Sequence, residues 1–233
     1  MLYSLKKQIT GIQARNELWD MYTHILPLVD DGPISRKEAC DIVVKLKKLG
    51  FQGAYCTPHI SAIFPNNSKK ILEEQFTEFS GYLSREKNVE DFALRLAAIY
   101  MLDDSFLATL DKEDELLTYD GKRVLVEFHQ LFLKDNWKEM LSALRERNYI
   151  PVLAHPEKYI NTFTPDQLDT LHEEGVEFQL NLFSLFDIYG KEVRSRAIHL
   201  LKKGHYHNFG TGCHRDSQLR KLRLVKLSKL LKQ

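Results

Sequence analysis

His24, His59, Glu127, His155 and His214 are side chains whose types could hold a metal ion, and each stands at or just past the end of a short apolar run. His24 closes Asp20-Met-Tyr-Thr-His, and two carboxylates, Asp30 and Asp31, follow in the next loop. His59 sits in Cys56-Thr-Pro-His, Glu127 in Leu125-Val-Glu-Phe, His155 in Ala154-His-Pro-Glu-Lys-Tyr, and His214 follows Gly212-Cys213. Imidazole nitrogen and carboxylate oxygen are the donors that suit Zn2+, Mn2+ or Fe2+. One histidine at a strand end is more often a capping or packing residue. Five metal-capable groups at matching topological positions point to a shared site.

Those groups need a scaffold that gathers strand ends. Short apolar runs near 18–24, 52–57, 94–100, 123–128, 150–155, 176–181 and 206–212 predict strands. Helical patterns near 35–49, 67–88, 104–117, 136–148, 165–174, 191–203 and 217–231 alternate with them. The alternation predicts βα units, and their number predicts an α/β fold of the (βα)7 type, a TIM-like distorted barrel. In such a barrel the loops after the strands meet at one end, where the candidate ligands would converge. Ser35-Arg-Lys-Glu38 and Thr164-Pro-Asp-Gln167 read as capping boxes. Gly50, Gly175 and Gly204 suit left-handed helix ends.

At 233 residues the chain suits one domain over 1–233, with residues 1–16 as a lead-in and 217–233 as a basic C-terminal helix. That helix reads as an ordinary peripheral one, leucines inward and lysines solvated. The formal charge of +1 offers no basic field for nucleic acid. No apolar run is long enough for a transmembrane segment, and Met1-Leu-Tyr-Ser-Leu-Lys-Lys lacks the apolar core of a secretion signal. Cys40, Cys56 and Cys213 are odd in number and widely spaced, which argues for a reducing, cytoplasmic setting. None has an arginine six positions downstream, so a cysteine-centred phosphate loop is absent.

The opening stretch Asp20-Met-Tyr-Thr-His-Ile-Leu-Pro-Leu-Val-Asp-Asp-Gly32 resembles the first motif of the PHP (polymerase and histidinol phosphatase) metallophosphoesterases. It is most similar to their bacterial protein-tyrosine-phosphatase branch. The resemblance continues through Thr57-Pro-His59, Leu125-Val-Glu-Phe128, Ala154-His-Pro-Glu-Lys-Tyr159, Gln179-Leu-Asn181, Tyr189-Gly190 and Leu200-Leu201. It implies a cluster of metal ions that activates water against phosphotyrosine. It also implies a partner, a phosphotyrosine-bearing kinase of capsular or extracellular polysaccharide export. Lys158 stands where the branch has an arginine, and the resemblance implies a catalytic, phosphate-facing role for it.

Departures from the pattern carry their own expectation. Tyr22 replaces the first histidine, Leu28 a glycine, Ile99 a glutamate and Gly212 an aspartate. By this count Glu127 is the only acid left among the ligands, too little to offset repulsion within a full trinuclear cluster. The expected cofactor is therefore one divalent ion, Mn, Zn or Fe. Disturbing even a partner of a ligand costs roughly 10–100-fold in affinity or activity. The expectation is a pseudo-phosphatase with strongly impaired or no hydrolysis. Its alternative is an active phosphomonoester hydrolase with a reduced one- or two-metal site. Cys213 reads as an apolar filler, Glu157 and Asn181 as supporting residues, and His129, His172, His199, His205 and His207 as surface or packing residues.

Overall fold

A computed structural model describes residues 18–113, 115–129 and 133–224, with side chains to 220. The expected N-terminal lead-in and the last residues of the basic helix lie outside the described residues. The described strands are β1 (Trp19–Thr23), β2 (Gly53–Cys56), β3 (His59–Ile60), β4 (Ala93–Leu96), β5 (Ile99–Met101), β6 (Arg123–Glu127), β7 (Ile150–Ala154), β8 (Glu177–Asn181) and β9 (Tyr206–Gly210). The described helices are α1 (Arg36–Leu49), α2 (Lys69–Leu83), α3 (Phe106–Lys112), α4 (Trp137–Glu146), α5 (Pro165–Glu173), α6 (Lys191–Lys203) and α7 (Asp216–Leu224).

All described pairings are parallel and fall into two sheets, ordered β1-β2-β4 and β3-β5-β6-β7-β8-β9. One expected strand is broken, β4 and β5 parting at Ala97-Ala98, and a short β3 that the sequence did not announce follows β2 after Thr57-Pro58. Pro58 has no N–H for a ladder, so the chain cannot pair through it. The neighbouring break lies at the same level, where Ala97 N–H donates to Cys56 O at 2.9 Å and Ile99 N–H to Pro58 O at 3.0 Å. The outermost elements also touch. Thr23 and Cys213 form a single bridge, and His24 N–H donates to Cys213 O at 3.0 Å.

Helix faces follow their sequence period. α1 buries Ala39, Ile42, Val43 and Leu46, one stripe of a 3.6-residue repeat. Each such aliphatic side chain contributes roughly 1.5–3 kcal/mol when fully buried. Ser35 accepts from Glu38 N–H at 3.1 Å, but the Glu38 carboxylate takes Ile34 N–H rather than closing the expected box. The box at Thr164 and Gln167 is complete. In α7, Leu219 is buried and Asp216 pairs with Lys45 of α1, so the described part packs as a peripheral helix.

Strand alternation sorts residues between an outer shell under the helices and a second cluster of Met21, Tyr22, Tyr55, Ala97, Ile99, Tyr119, Leu125, Val152 and Ala154. Val124 and Val126 join the outer shell while Leu125 joins the second cluster. Glu127 continues the parity of Leu125, so the alternation that fills this inner cluster also aims this candidate ligand above it. In β1, by contrast, both Met21 and Tyr22 join the cluster and the register is irregular between Asp20 and Thr23.

Candidate metal centre

Past the ends of β1, β3, β6, β7 and β9, a pocket of about 500 Å3 is lined by Tyr22, Asp31, His59, Met101, Glu127, His129, His155, Lys158 and His214 among others. His24 lies beneath, fully buried, its ring stacked on His59 at 4.4 Å and on His214 at 3.8 Å between centroids. All five candidate ligands are thus neighbours. Two residues missing from the expected set join them. Asp30 Oδ2 stands 2.8 Å from His24 Nδ1 and 3.2 Å from His59 Nδ1, and it accepts the His59 backbone N–H at 3.1 Å. Asp31 Oδ1 stands 3.1 Å from His214 Nδ1 and 3.5 Å from His59 Nδ1.

Local chain geometry explains this gathering. Gly32 N–H donates to Asp30 Oδ1 at 2.9 Å, folding the loop back on itself. A Cβ at Gly32 would stand 2.2 Å from His24 O, so the loop lies this close only because residue 32 has no side chain. Arg215 donates to Gly32 O and ties the same loop to the segment after β9. Asn67 donates to both Val29 O and His59 O, joining it to the segment after β3. Leu28, at the position of the family's glycine, takes a φ of 67° that glycine would hold more easily.

A second group adjoins the first. Glu127 reaches His59 Nε2 at 3.0 Å and His155 Nε2 at 3.5 Å. His155 follows a strand whose inward residues are Val152 and Ala154, so alternation alone would face it outward. Its φ of 38° interrupts the strand at that residue. Lys158, in the short turn after it, places its ammonium 4.0 Å from the Tyr189 ring centroid while lining the pocket.

Electrostatics follow from burial and proximity. Burial pulls His24 down to about 4, helped by His214 and His59 and opposed by Asp30. Burial, with the Lys158 charge, brings His155 to about 4. Both are neutral imidazoles near neutral pH. Burial alone would raise Asp30 and Glu127, but the neighbouring histidines outweigh it and hold both carboxyls well below the usual range. Burial would likewise lower His59, yet Glu127 and Asp30 push it up to about 10. Without a metal these carboxylates favour the protonated imidazole of His59, which must release that proton to ligate an ion. Desolvation lowers Lys158, with Glu157 and Glu127 acting against it.

The donor set fits a divalent ion. His24, Asp30, Asp31 and His59 each offer a ligand atom within 4.8 Å of the others. His24 Nε2 and His155 Nδ1 are buried without a hydrogen-bond partner, the state of a lone pair awaiting a ligand. The count of one remaining acid is corrected here: Asp30, Asp31 and Glu127 all reach the site.

Other expectations resolve differently. Tyr22 is 3% exposed, and burial, with Glu127 nearby, raises its phenol far above the ordinary value. Ile99 is wholly buried in the inner cluster. Burial raises the Cys213 thiol, which donates to Arg215 O, consistent with a filler. Asn181 accepts Phe183 N–H at 2.9 Å, a local cap. Glu157 accepts from Asn181 N–H, Ser184 and Tyr206. His129 lines the pocket, which the sequence reading had placed outside it.

The fold and this site define a parallel α/β protein with a buried histidine–carboxylate centre suited to a divalent metal. The chain belongs to the family described as capsular polysaccharide synthesis, CpsB/CapC, which it matches over residues 18–233. It is 26% identical to tyrosine-protein phosphatase YwqE of Bacillus subtilis over 202 residues, 84% of this chain and 76% of that one. It is 25% identical to tyrosine-protein phosphatase CpsB of Streptococcus pneumoniae, covering 84% of this chain and 82% of the relative. A solved structure from work on YwqE and CpsB, described as unique metal-dependent tyrosine phosphatases, superposes with a TM-score of 0.76. That match covers 91% of this chain and 89% of the other at 22% identity, a likeness of fold. The phosphotriesterase homology protein of Escherichia coli, with phosphate in its active site, reaches a TM-score of 0.50 at 11% identity, covering 87% of this chain and 83% of its own. Among the described residues no helix is long and apolar enough to cross a membrane.

Proposed function

We propose that this chain is a metal-dependent phosphomonoesterase acting on phosphotyrosine, with a reduced metal complement. The observation that carries the reading is the four-donor group His24, Asp30, Asp31 and His59, two of whose members are acids. It weakens the case for an inactive protein, which counted Glu127 as the one acid, while the acids absent at Ile99 and Gly212 stay absent. We read the two sheets, joined by a bridge between Thr23 of β1 and Cys213 just after β9, as a distorted (βα)7 barrel with this site at its mouth.

His24, Asp30, Asp31 and His59 would hold the ion, with His214 and Glu127 beside them. A bound divalent ion supplies Lewis acidity and a more acidic water, from about 15.7 to about 7 in the best zinc sites. Glu127, ionised and bridging His59 to His155, orients both rings. Lys158 places a positive charge on the pocket wall for the phosphoryl oxygens. Its partial desolvation strengthens that attraction, though an ammonium lacks the two-point grip of a guanidinium. On the sequence resemblance alone, the partner proposed is a phosphotyrosine-bearing kinase of polysaccharide export. Three buried, unpaired thiols suit a reducing, cytoplasmic setting.

The test is turnover of p-nitrophenyl phosphate and of phosphotyrosine peptides by chelator-stripped protein before and after Mn2+ or Zn2+ is restored. Turnover is expected only with metal, and Asp30→Asn should weaken metal affinity at least 10–100-fold. A second reading, a phosphopeptide binder without hydrolysis, is favoured by Tyr22, Ile99 and Gly212. Tight peptide binding with no turnover in fully metal-loaded protein would select it and reject the first.

A further inference from the structure

We infer that Tyr22 and Gly212 form a size-matched pair that closes one side of the pocket to metal ions, confining the ion to the His24, Asp30, Asp31 and His59 side. The inference rests on the metal-dependent reading above and adds where ions load and how many.

The Tyr22 ring lies edge-on to His24 at 5.1 Å and tilted against His155 at 5.8 Å between centroids. It therefore packs against both imidazoles. A ligated ion stands about 2.0–2.1 Å from a histidine nitrogen, and a ring in contact with both imidazoles competes with a shared ion for that space. Ile99, Leu125 and Ala154 of the inner cluster belong with Tyr22, so the apolar interior extends up to the floor of this side.

Gly212 is the other half of the fit. Its φ is 58°, and a Cβ there would stand 2.9 Å from Tyr22 Cε1 and 2.7 Å from Asn181 Nδ2. Neither neighbour yields easily. Asn181 is held by Phe183 N–H. Tyr22 O accepts Gly212 N–H at 2.7 Å, and Tyr22 N–H donates to Asp20 at 3.3 Å. On the far side, a Cβ at Gly210 would stand 2.5 Å from Tyr22 Cβ, so the strand cannot slide that way. A large ring at 22 thus requires a bare backbone at 212. Any ligating side chain at 212 requires a smaller ring at 22.

The test compares wild type, Tyr22→Phe, Tyr22→His, Gly212→Asp and the double variant Tyr22→His/Gly212→Asp. Each is loaded with Mn2+, desalted and assayed for metal per chain by mass spectrometry, and the metal-free forms are melted. Wild type and Tyr22→Phe should hold the same amount, because ring volume and not the phenol oxygen excludes the ion. Gly212→Asp alone should lower the metal-free Tm by roughly 3–10 °C and hold no extra Mn2+. The double variant should recover part of that Tm loss, the share due to the Tyr22 ring, since the φ of 58° and the Asn181 contact remain, and it should hold at least one more Mn2+ per chain than wild type. If Gly212→Asp does not fold, Tyr22→His alone still decides, since it too should gain Mn2+. An unchanged Tm for Gly212→Asp, or a wild type already as loaded as the double variant, overturns the pairing. Uptake by wild type with no gain in any variant overturns the pairing alone. No uptake by any form overturns the metal-dependent reading with it.

Discussion

The two sides of the pocket are built on different physical terms. The side of His24, Asp30, Asp31, His59 and His214 is polar, with stacked imidazoles wired to two carboxylates on one loop. The side of Tyr22, Ile99 and Gly212 is filled by apolar packing and a ring seated on a glycine. Glu127 and His155 lie between them. On the first side, buried charge is satisfied only as a set: removing one partner leaves the others uncompensated, which costs more than the pair is worth. On the second, the lining beside the unpartnered His155 Nδ1 is apolar, and volume decides what fits. Loss of ligands at one end of such a pocket therefore need not empty the other.

Placing a charge in the apolar side should have the largest effect. Ile99 is fully buried among apolar neighbours, so Ile99→Glu should destabilise the metal-free protein by about 3–5 kcal/mol, read as the shift in urea midpoint at pH 7. The loss should shrink when Mn2+ is added to an Ile99→Glu/Tyr22→His/Gly212→Asp chain and persist when Mn2+ is added to Ile99→Glu alone. An Ile99→Glu chain as stable as wild type without metal would show that side to be hydrated and open, erasing the contrast.

A smaller effect sharpens the contrast by loosening what holds Tyr22. Asp20 is wholly buried and accepts from Tyr22 N–H, Thr211 N–H and the Thr211 hydroxyl. Burial raises its carboxyl to about 7, above the ordinary 3.8, despite these bonds. The folded chain then binds a proton that the unfolded chain has lost, between about pH 4 and 7. Its stabilising contribution is complete below pH 4 and falls away as pH rises through 7. Asp20→Asn should remove this slope, changing the pH 4-to-7 stability difference by on the order of 1–3 kcal/mol relative to wild type. Comparing the two chains cancels the opposite trend from His24 and His155, which are held neutral and lose stability as pH falls from 6.5 toward 4. Parallel pH profiles for the two chains would contradict the assignment.

Much of the scaffold could be read from the chain. Apolar runs located the strands within a few residues, and α6 coincides with the expected 191–203. The short β3 after Thr57-Pro58 and the break at Ala97-Ala98 were less legible. Pro58 is visible in sequence, but its effect on the neighbouring strand exists only through pairing. The five ligand positions could be found because they stand at or just past the ends of predicted strands. Asp30 and Asp31 stand out in the sequence, but they fall outside the strand-end positions from which the ligands were counted. What brings them in is Gly32, whose lack of a side chain permits contact with His24 O, and the His59 N–H that Asp30 receives. The local signal was the run Asp-Asp-Gly itself. The fit of Tyr22 to Gly212 joins residues 190 positions apart, and no local pattern announces it.

The most direct measurement is anomalous diffraction from crystals of the wild-type protein soaked in Mn2+, read at the manganese edge. The expected map has a peak within ligand distance of His24, Asp30, Asp31 and His59, and none within ligand distance of both His24 and His155 across the Tyr22 ring. A fully occupied peak there, with Tyr22 displaced from Gly212, would contradict the division of the pocket. An empty map on both sides would contradict the metal centre itself.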